Sequence, residues 1–301
     1  MHMEKFKGSN DLRRFALIDP LPLGRFREWR PLARAIHGSV FVALDSCTGR
    51  EVAIKQVDSK KCMRFNPNLL EDPLGEVGAG LYLSNTCPFI VQTLGIFQDD
   101  RFTYIISEYQ GGRELFEIAA KRKGAPECEA RRIMKQVFTA ISHIHGMGIA
   151  HRDISMENTL LFPDGSIKIL DFGQAVNFKV NESRVKYRGK AGKPYYRAPE
   201  MYSRDYYPTP ADIFAAGVIL FILILGVPPW QTAEVSDSRY QYVVTHGITG
   251  LLTSWKKSEG LSEELLDLLQ HVLDFDPEKR YSSEEALNHP WMQGPEIQWN
   301  S

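Results

Sequence analysis

One ordered set of polar residues restricts the fold of this chain more than any other feature. His151-Arg152-Asp153-Ile154-Ser155-Met156-Glu157-Asn158 carries a carboxylate and a carboxamide on one short stretch, and Asp171-Phe172-Gly173 follows it. A lone Asp in a loop is ordinarily a turn former. An Asp, an Asn and a second Asp brought together on rigid loops can instead hold a hydroxyl and one or two Mg²⁺ ions around a phosphate. The set has companions in fixed order: Val52-Ala53-Ile54-Lys55 precedes it and Ala198-Pro199-Glu200 follows.

Taken in that order, these motifs resemble the catalytic core of eukaryotic protein kinases. The resemblance runs over nearly the whole chain of 301 residues. It implies an α+β, bilobal fold with ATP between the lobes: a small antiparallel sheet with one helix, then a mainly helical lobe. The corresponding divisions are an extension over 1–23, a small lobe over 24–109, a large lobe over 110–293 and a tail over 294–301. Residues 1–23 show no period, so a solvated arm that packs on the fold at most is the expectation. The stretch from Asp58 to Asp72 reads as an insertion with its own loop.

The resemblance also implies roles. Lys55 would contact the α- and β-phosphates, paired with a glutamate on the next helix. Glu76 is the candidate and Glu71 the alternative, because Gly75, Gly78 and Gly80 make a poor helix around Glu76. Asp153 would accept a hydrogen bond from the substrate hydroxyl, while Asn158 and Asp171 would ligate Mg²⁺. The carbonyl of Glu108 and the amide of Gln110 would face adenine, with Val40 and Ala53 above it and Leu160 below. Ser107 stands where a bulky apolar residue is usual, which predicts room behind the adenine. Two readings stand for Glu114: an acid at a helix N-terminus, or a contact to the ribose or to a basic residue of the substrate. Glu157 would lie near that same part of the cleft, so a protein substrate with basic residues beside its target hydroxyl is expected.

Two departures from the family pattern matter. The phosphate-covering turn, Leu32 to Val40, keeps only Gly38 of three glycines; Ala33 and Ala35 stand at the other two positions. Alanine stiffens a turn in which backbone amides approach phosphate closely. Serine/threonine kinases also carry Lys two residues beyond the catalytic Asp and Thr shortly before Ala-Pro-Glu. Here those positions hold Ser155 and Lys193. Two readings stand: either the side chains have exchanged places, with Lys193 reaching over Ser155 to deliver its ammonium to the γ-phosphate and to Asp153, or Ser155 is a loss and Lys193 a solvated lysine. The family's tyrosine-specific signatures are missing, which leaves serine/threonine specificity. Arg152 beside Asp153 suggests control by an upstream kinase acting on the basic segment from Gln174 to Arg197, with Ser183 and Tyr187 as acceptors. The altered glycine turn, Ser155 and the glycine-rich helix also admit a competing reading, a pseudokinase acting as scaffold or allosteric partner.

Periodicity and composition fit this frame. Val52 to Val57, Val91 to Phe97 and Phe102 to Glu108 read as strands. Glu127 to Gly146 reads as an amphipathic helix after Pro126, with Ile133, Val137, Ile141 and Ile144 on one face. The net charge of −1 carries no nucleic-acid footprint. Phe214 to Val227, the most apolar run, is short for a membrane span and ends at Pro228-Pro229, so a buried core helix is expected. The four cysteines are widely spaced, which points to reduced thiols and a cytoplasmic protein. Asp276 to Arg280 and Ala286 to Met292 resemble the end of calcium/calmodulin-type kinase domains. A calmodulin-binding helix or calcium loop would need more chain than Gln293 to Ser301 supplies.

Overall fold

The computed structural model describes residues 12–15, 18–35, 38–59, 73–180 and 183–295. Six strands form one sheet: β1 (Asp19–Pro20), β2 (Phe26–Ala35), β3 (Gly38–Asp45), β4 (Arg50–Asp58), β5 (Thr93–Gln98) and β6 (Phe102–Glu108). Their spatial order is β1-β5-β6-β4-β3-β2. The two-residue alternation of strand side chains divides the core. Tyr104 and Ile106 join Phe26, Ala43, Val52 and Ile54 on one face, while Ile105 and Ile96 point to the other and meet Val77 of helix α1 (Pro73–Leu83).

The antiparallel expectation holds for every neighbouring pair but one. β1 runs parallel to β5, with Asp19 opposite Phe97 and Pro20 opposite Gln98. Pro20 is tolerated because β1 lies at the sheet edge, where no ladder donor is required of it. The arm is therefore not simply solvated. Leu12, in a 3₁₀ turn over Leu12–Phe15, is buried in the cluster that also holds Ala79 and Leu83, and Phe15 stacks on Tyr82. The turn read over Leu32 to Val40 is also shorter than expected. Strand pairing continues to Ala35 opposite Gly38, as alanine permits where glycine would favour a loop. The insertion beyond Ser59 and the alternative Glu71 lie outside the described residues.

The second half is helical: α2 (Leu115–Ala119), α3 (Glu127–Gly146), α4 (Glu200–Ser203), α5 (Pro208–Leu225), α6 (Ser238–Ser254), α7 (Glu263–Val272) and α8 (Ser283–Asn288). Helix α3 buries Ile133, Val137, Ile141 and Ile144, the face its period marks out. Helix α5 is apolar and long enough to cross a membrane by length and composition, yet 83% of it is buried inside the fold. Phe214, Val218, Ile219, Leu220 and Phe221 are inaccessible to solvent, so the helix serves as the central post of this half. Short strands carry the loops of the site: β7 (Arg113–Glu114), β8 (Ile149–Ala150), β9 (Thr159–Leu161), β10 (Ile167–Ile169) and β11 (Val176–Asn177). β12 (Lys179–Val180) and β13 (Ser183–Arg184) pair as a hairpin.

The C-terminal elements are fastened to the first turn of α3 through Glu127. Its carboxylate accepts from Ser262 N at 2.7 Å, Ser262 Oγ at 2.6 Å and Trp291 Nε1 at 2.7 Å. Burial pushes this carboxyl up, but the donors from Ser262 and Trp291 outweigh it and hold it below its ordinary 4.5. A lowered folded value stabilises the protein above the ordinary carboxylate range, and that stabilisation is lost as pH falls through the folded value. Glu127→Gln is expected to cost about 1–3 kcal/mol at neutral pH, since an amide cannot accept from three donors. In chemical denaturation the gap between wild type and variant should narrow steadily below pH 4.5.

Candidate active site

Lys55 extends from β4, and its Nζ lies 2.7 and 2.6 Å from the two carboxylate oxygens of Glu76. It is 3.9 Å from Asp171 Oδ1. Of the two glutamates open from sequence, Glu76 is thus the one the structure brings to Lys55. The glycines that make α1 a poor helix permit this approach. A Cβ on Gly80 would sit 2.3 Å from Thr93 Oγ1 of β5. The bare backbone lets α1 lie against the sheet, and Ser84 Oγ donates to Thr93 O at 2.9 Å. Close packing offsets a helix-propensity cost of about 1 kcal/mol per glycine.

The loop from His151 to Asn158 is buried and held from below. Asp212 of α5 accepts from His151 N at 2.8 Å and Arg152 N at 2.7 Å, and His145 Nε2 lies 2.9 Å from it. The His151 ring meets Phe172 with centroids 4.8 Å apart, beneath Asp171. Asn158 Nδ2 donates to Asp153 O at 2.9 Å and to Asp153 Oδ2 at 2.8 Å. Both amide hydrogens are thereby used, and the amide oxygen is the donor atom left for a cation.

Lys193 arrives from far along the chain. Its Nζ lies 2.9 Å from Ser155 Oγ and 3.4 and 3.3 Å from Asp153 Oδ1 and Oδ2. Gly192 makes the approach possible. Its φ is +77°, and a Cβ there would meet Arg152 O at 2.8 Å. Gln174 Oε1 accepts from Gly192 N at 2.7 Å and ties the segment to the residue after Gly173. Sequence reasoning assigned Gln174 nothing; its place beside the Asp-Phe-Gly motif was the only available sign.

The two carboxylates diverge electrostatically. Burial pushes Asp153 above its ordinary value, and Lys193, His151 and the Asn158 amide only partly oppose it. Burial pushes Asp171 up too, but Lys55, the Gly173 N–H, His151 and Lys193 outweigh it and leave it below its ordinary value. One acid stays ionised and suits a cation; the other is better able to take a proton. Among the described residues no group of three or more His, Cys, Asp or Glu forms a metal cage. Two protein oxygen ligands, with phosphate oxygens and water completing the shell, fit the habit of Mg²⁺.

The other sequence candidates distribute around this centre. Val40 of β3 pairs with Lys55, Ala53 of β4 with Ser107 of β6, and Leu160 of β9 with Glu114 of β7. Ala33 is exposed near the tip of β2. The Glu108 carboxylate accepts from Gln92 N at 2.8 Å and Lys168 Nζ at 2.6 Å, which pins the link between the halves; Gln110 Nε2 donates to it at 3.0 Å. Burial, then repulsion by Glu117 and Glu157, raises the Glu114 carboxyl, and Lys193 opposes them. The Glu157 carboxylate lies against Tyr196 and, after burial, contributes through charge and a side-chain hydrogen bond to raising that phenol above its ordinary value.

Arg152 Nε is buried without a hydrogen-bond partner, and its guanidinium lies 5.4 Å from the Tyr187 ring centroid. Tyr187 does not present a free hydroxyl: it donates to Asn177 O at 2.8 Å, and burial raises its pKa. Ser183 is exposed on β13.

A protein kinase domain profile matches residues 31–292. Curated relatives include "Calcium-dependent protein kinase 29" of Arabidopsis thaliana, 34% identical over 271 residues, covering 89% of this chain and 49% of the relative. "Calcium-dependent protein kinase 12" of Oryza sativa subsp. japonica is 31% identical over 266 residues, 87% of this chain and 48% of the relative. "Calcium-dependent protein kinase 3" of Plasmodium berghei is 33% identical over 264 residues, 87% of this chain and 45% of the relative. The chain thus spans about half the length of the curated relatives it matches.

The Gly80 contact yields a test of how the Lys55–Glu76 pair is held. Gly80→Ala improves helix propensity, yet it is expected to destabilise the protein by about 1–3 kcal/mol, because the added methyl overpacks against Thr93. Thr93→Ala in the same chain should recover most of the loss. Equilibrium unfolding of the two single variants and the double variant checks this; strict additivity would refute the contact.

Proposed function

The chain belongs to the protein kinase domain family, and from that membership and the chemistry of its cleft we propose that it transfers the γ-phosphoryl group of Mg·ATP to a serine or threonine hydroxyl of a protein. The observation that carries the reading is the cluster of Asp153, Asn158 and Lys193, with Lys193 Nζ within 3.4 Å of both oxygens of Asp153.

In this mechanism Asp153 accepts a hydrogen bond from the substrate hydroxyl and aims its oxygen at the γ-phosphorus. The new O–P bond forms as the bond from the γ-phosphorus to the β–γ bridging oxygen breaks, and the hydroxyl proton leaves by way of Asp153. Asn158 and Asp171 hold Mg²⁺, which, when bound, neutralises charge on the transferring phosphates. Lys55, kept in place by Glu76, contacts the α- and β-phosphates. Lys193 supplies the cation that the family takes from the position of Ser155, acting as a point charge rather than a fork. Stabilising charge as it develops accounts for most of the rate.

Glu157 repels the Glu114 carboxylate, and the acidic flank these two form supports a preference for a basic residue near the target hydroxyl. Arg152 and the exposed Ser183 support control by an upstream kinase at the activation segment. The separated thiols Cys47, Cys87 and Cys128 support a reducing, cytoplasmic setting.

Transfer of labelled phosphate to a generic basic protein, with Asp171→Asn run alongside, tests the activity. Equal signal from the two proteins would remove it and leave the scaffold reading. Lys193→Met should lose turnover about as far as Asp153→Asn, on the order of a hundredfold or more, whereas near-normal turnover would sink the exchange. Ser107 predicts that an ATP-site inhibitor with a bulky group behind the adenine binds the wild type. Ser107→Met should weaken it by about tenfold or more, and unchanged affinity in a competition titration would refute the pocket.

A further inference from the structure

Helix α1 is the least self-sufficient element next to the cleft. Its sequence, Pro73-Leu74-Gly75-Glu76-Val77-Gly78-Ala79-Gly80-Leu81-Tyr82-Leu83, carries three glycines, and its Glu76 pairs with Lys55. Each glycine weakens the helix relative to alanine by about 1 kcal/mol. Contacts from outside must therefore fix where the helix lies and whether Glu76 reaches Lys55.

One such contact is β5, through Gly80 and Thr93. The other is the N-terminal arm. Leu12 is 5% exposed and sits in the core cluster that contains Ala79 and Leu83. The Phe15 ring stacks on Tyr82, with centroids 4.7 Å apart and planes inclined by 29°. Ile18 and Leu81 pack on the cluster of Val77, Ile96 and Ile105. The arm is then tied to the sheet: β1 pairs with β5, and Leu21 N donates to Gln98 O at 2.9 Å. Leu12, Phe15 and Ile18 each pack in a cluster that includes residues of α1.

We infer that Leu12 and Phe15 are positioning residues for phosphoryl transfer: the arm clamps α1 against β5 and thereby holds Glu76 on Lys55. The inference rests on the kinase reading for its catalytic consequence and on packing for its structural one. Leu12, Ala79 and Leu83 share one buried cluster with α5, so the main melting transition is followed to separate a shift of α1 from a loss of that core. What is lost without the clamp is the fraction of molecules with Lys55 aligned, which acts on turnover and not on the peptide-binding surface.

The test uses the full chain with Phe15→Ala, Tyr82→Ala, the double variant and Leu12→Ala. Two readouts are taken: amide hydrogen exchange over residues 76–83, and steady-state kinetics with Mg·ATP and a basic peptide. The clamp predicts that exchange in α1 rises and kcat falls, each by about tenfold, with peptide KM and the main melting transition unchanged. Phe15 and Tyr82 share one contact, so the double variant should be little worse than either single one. Phe15→Leu, which keeps apolar bulk, should restore most of the loss. Wild-type protection of the α1 amides in Phe15→Ala, or additive effects of the two aromatic substitutions, overturns the clamp. A kcat loss matched by a changed peptide KM and a lowered melting transition also overturns it, since that marks general destabilisation. If the wild type transfers no phosphate, the exchange measurement still decides the clamp, and only the proposed activity fails.

Discussion

The cleft depends on one buried carboxylate. Asp212, 1% exposed on α5, takes the backbone N–H groups of His151 and Arg152 and lies within hydrogen-bond distance of the His145 ring. A buried acid without partners would be prohibitively costly; surrounded by donors it becomes a fixed point. It holds Arg152 in a left-handed conformation, φ +64°, which a non-glycine residue adopts only when its surroundings impose it. That turn of the chain sets the direction of Asp153, the next residue. The anchor can be rigid because α5 is packed on nearly every side, and close-packed interiors resist displacement.

Order spreads from that point along the segment that carries Lys193. Gly192 lies against the carbonyl of Arg152, Gln174 holds its amide, and Arg197 Nε donates to Gly192 O at 2.8 Å. Beyond Lys193, Glu200 meets Arg280 at 2.6 and 3.0 Å, both side chains essentially inaccessible, and Arg280 also donates to Pro210 O and Asp274 O. A buried ion pair of this kind is weak evidence for net stability, because desolvation cancels much of its attraction. Its effect here is positional: the segment is fixed on both sides of Lys193, and a flexible lysine stem gains a defined origin.

What was legible in the sequence followed from periodicity and from fixed-order polar motifs. Helix α3 spans Glu127–Gly146, where the apolar spacing and Pro126 put it, because Ile133, Val137, Ile141 and Ile144 recur at helical intervals on one face. The positions of Lys55, Asp153, Asn158 and Asp171 were visible as chemistry before any geometry was known. Choosing Glu76 over Glu71 was not possible from propensity, because tertiary packing through Gly80 overrides the weak helix. The arm was unreadable for a related reason. Its apolar residues Leu12, Phe15 and Ile18 are too few to show a period, and their partners lie on α1 and the sheet. The tip of the β2–β3 hairpin was read as a loop by family analogy, whereas its alanines allow pairing to continue. Tyr187 shows a further limit: a tyrosine in a basic segment suggests an acceptor, but burial and the Asn177 carbonyl had already claimed its hydroxyl.

The exchange at Ser155 and Lys193 follows from what a charge in a cleft has to do. Its effect depends on where the ammonium sits and how well it is shielded from water, not on which part of the chain supplies it. Lys193 opposes the rise that burial imposes on Asp153 and Glu114 and helps hold Asp171 down, so one cation acts on three acids of the cleft. Ser155, fully buried, can accept from that ammonium, accepts from Asn158 N at 3.3 Å, and through its carbonyl accepts from Thr159 Oγ1. A lysine at 155 would carry its charge on the catalytic loop itself. At 193 the charge instead comes from a segment whose Gly192 lies against the Arg152 carbonyl and donates its N–H to Gln174. The geometry of that segment and the electrostatics of Asp153 are thereby coupled through one side chain, whose ammonium lies within 3.4 Å of both Asp153 oxygens.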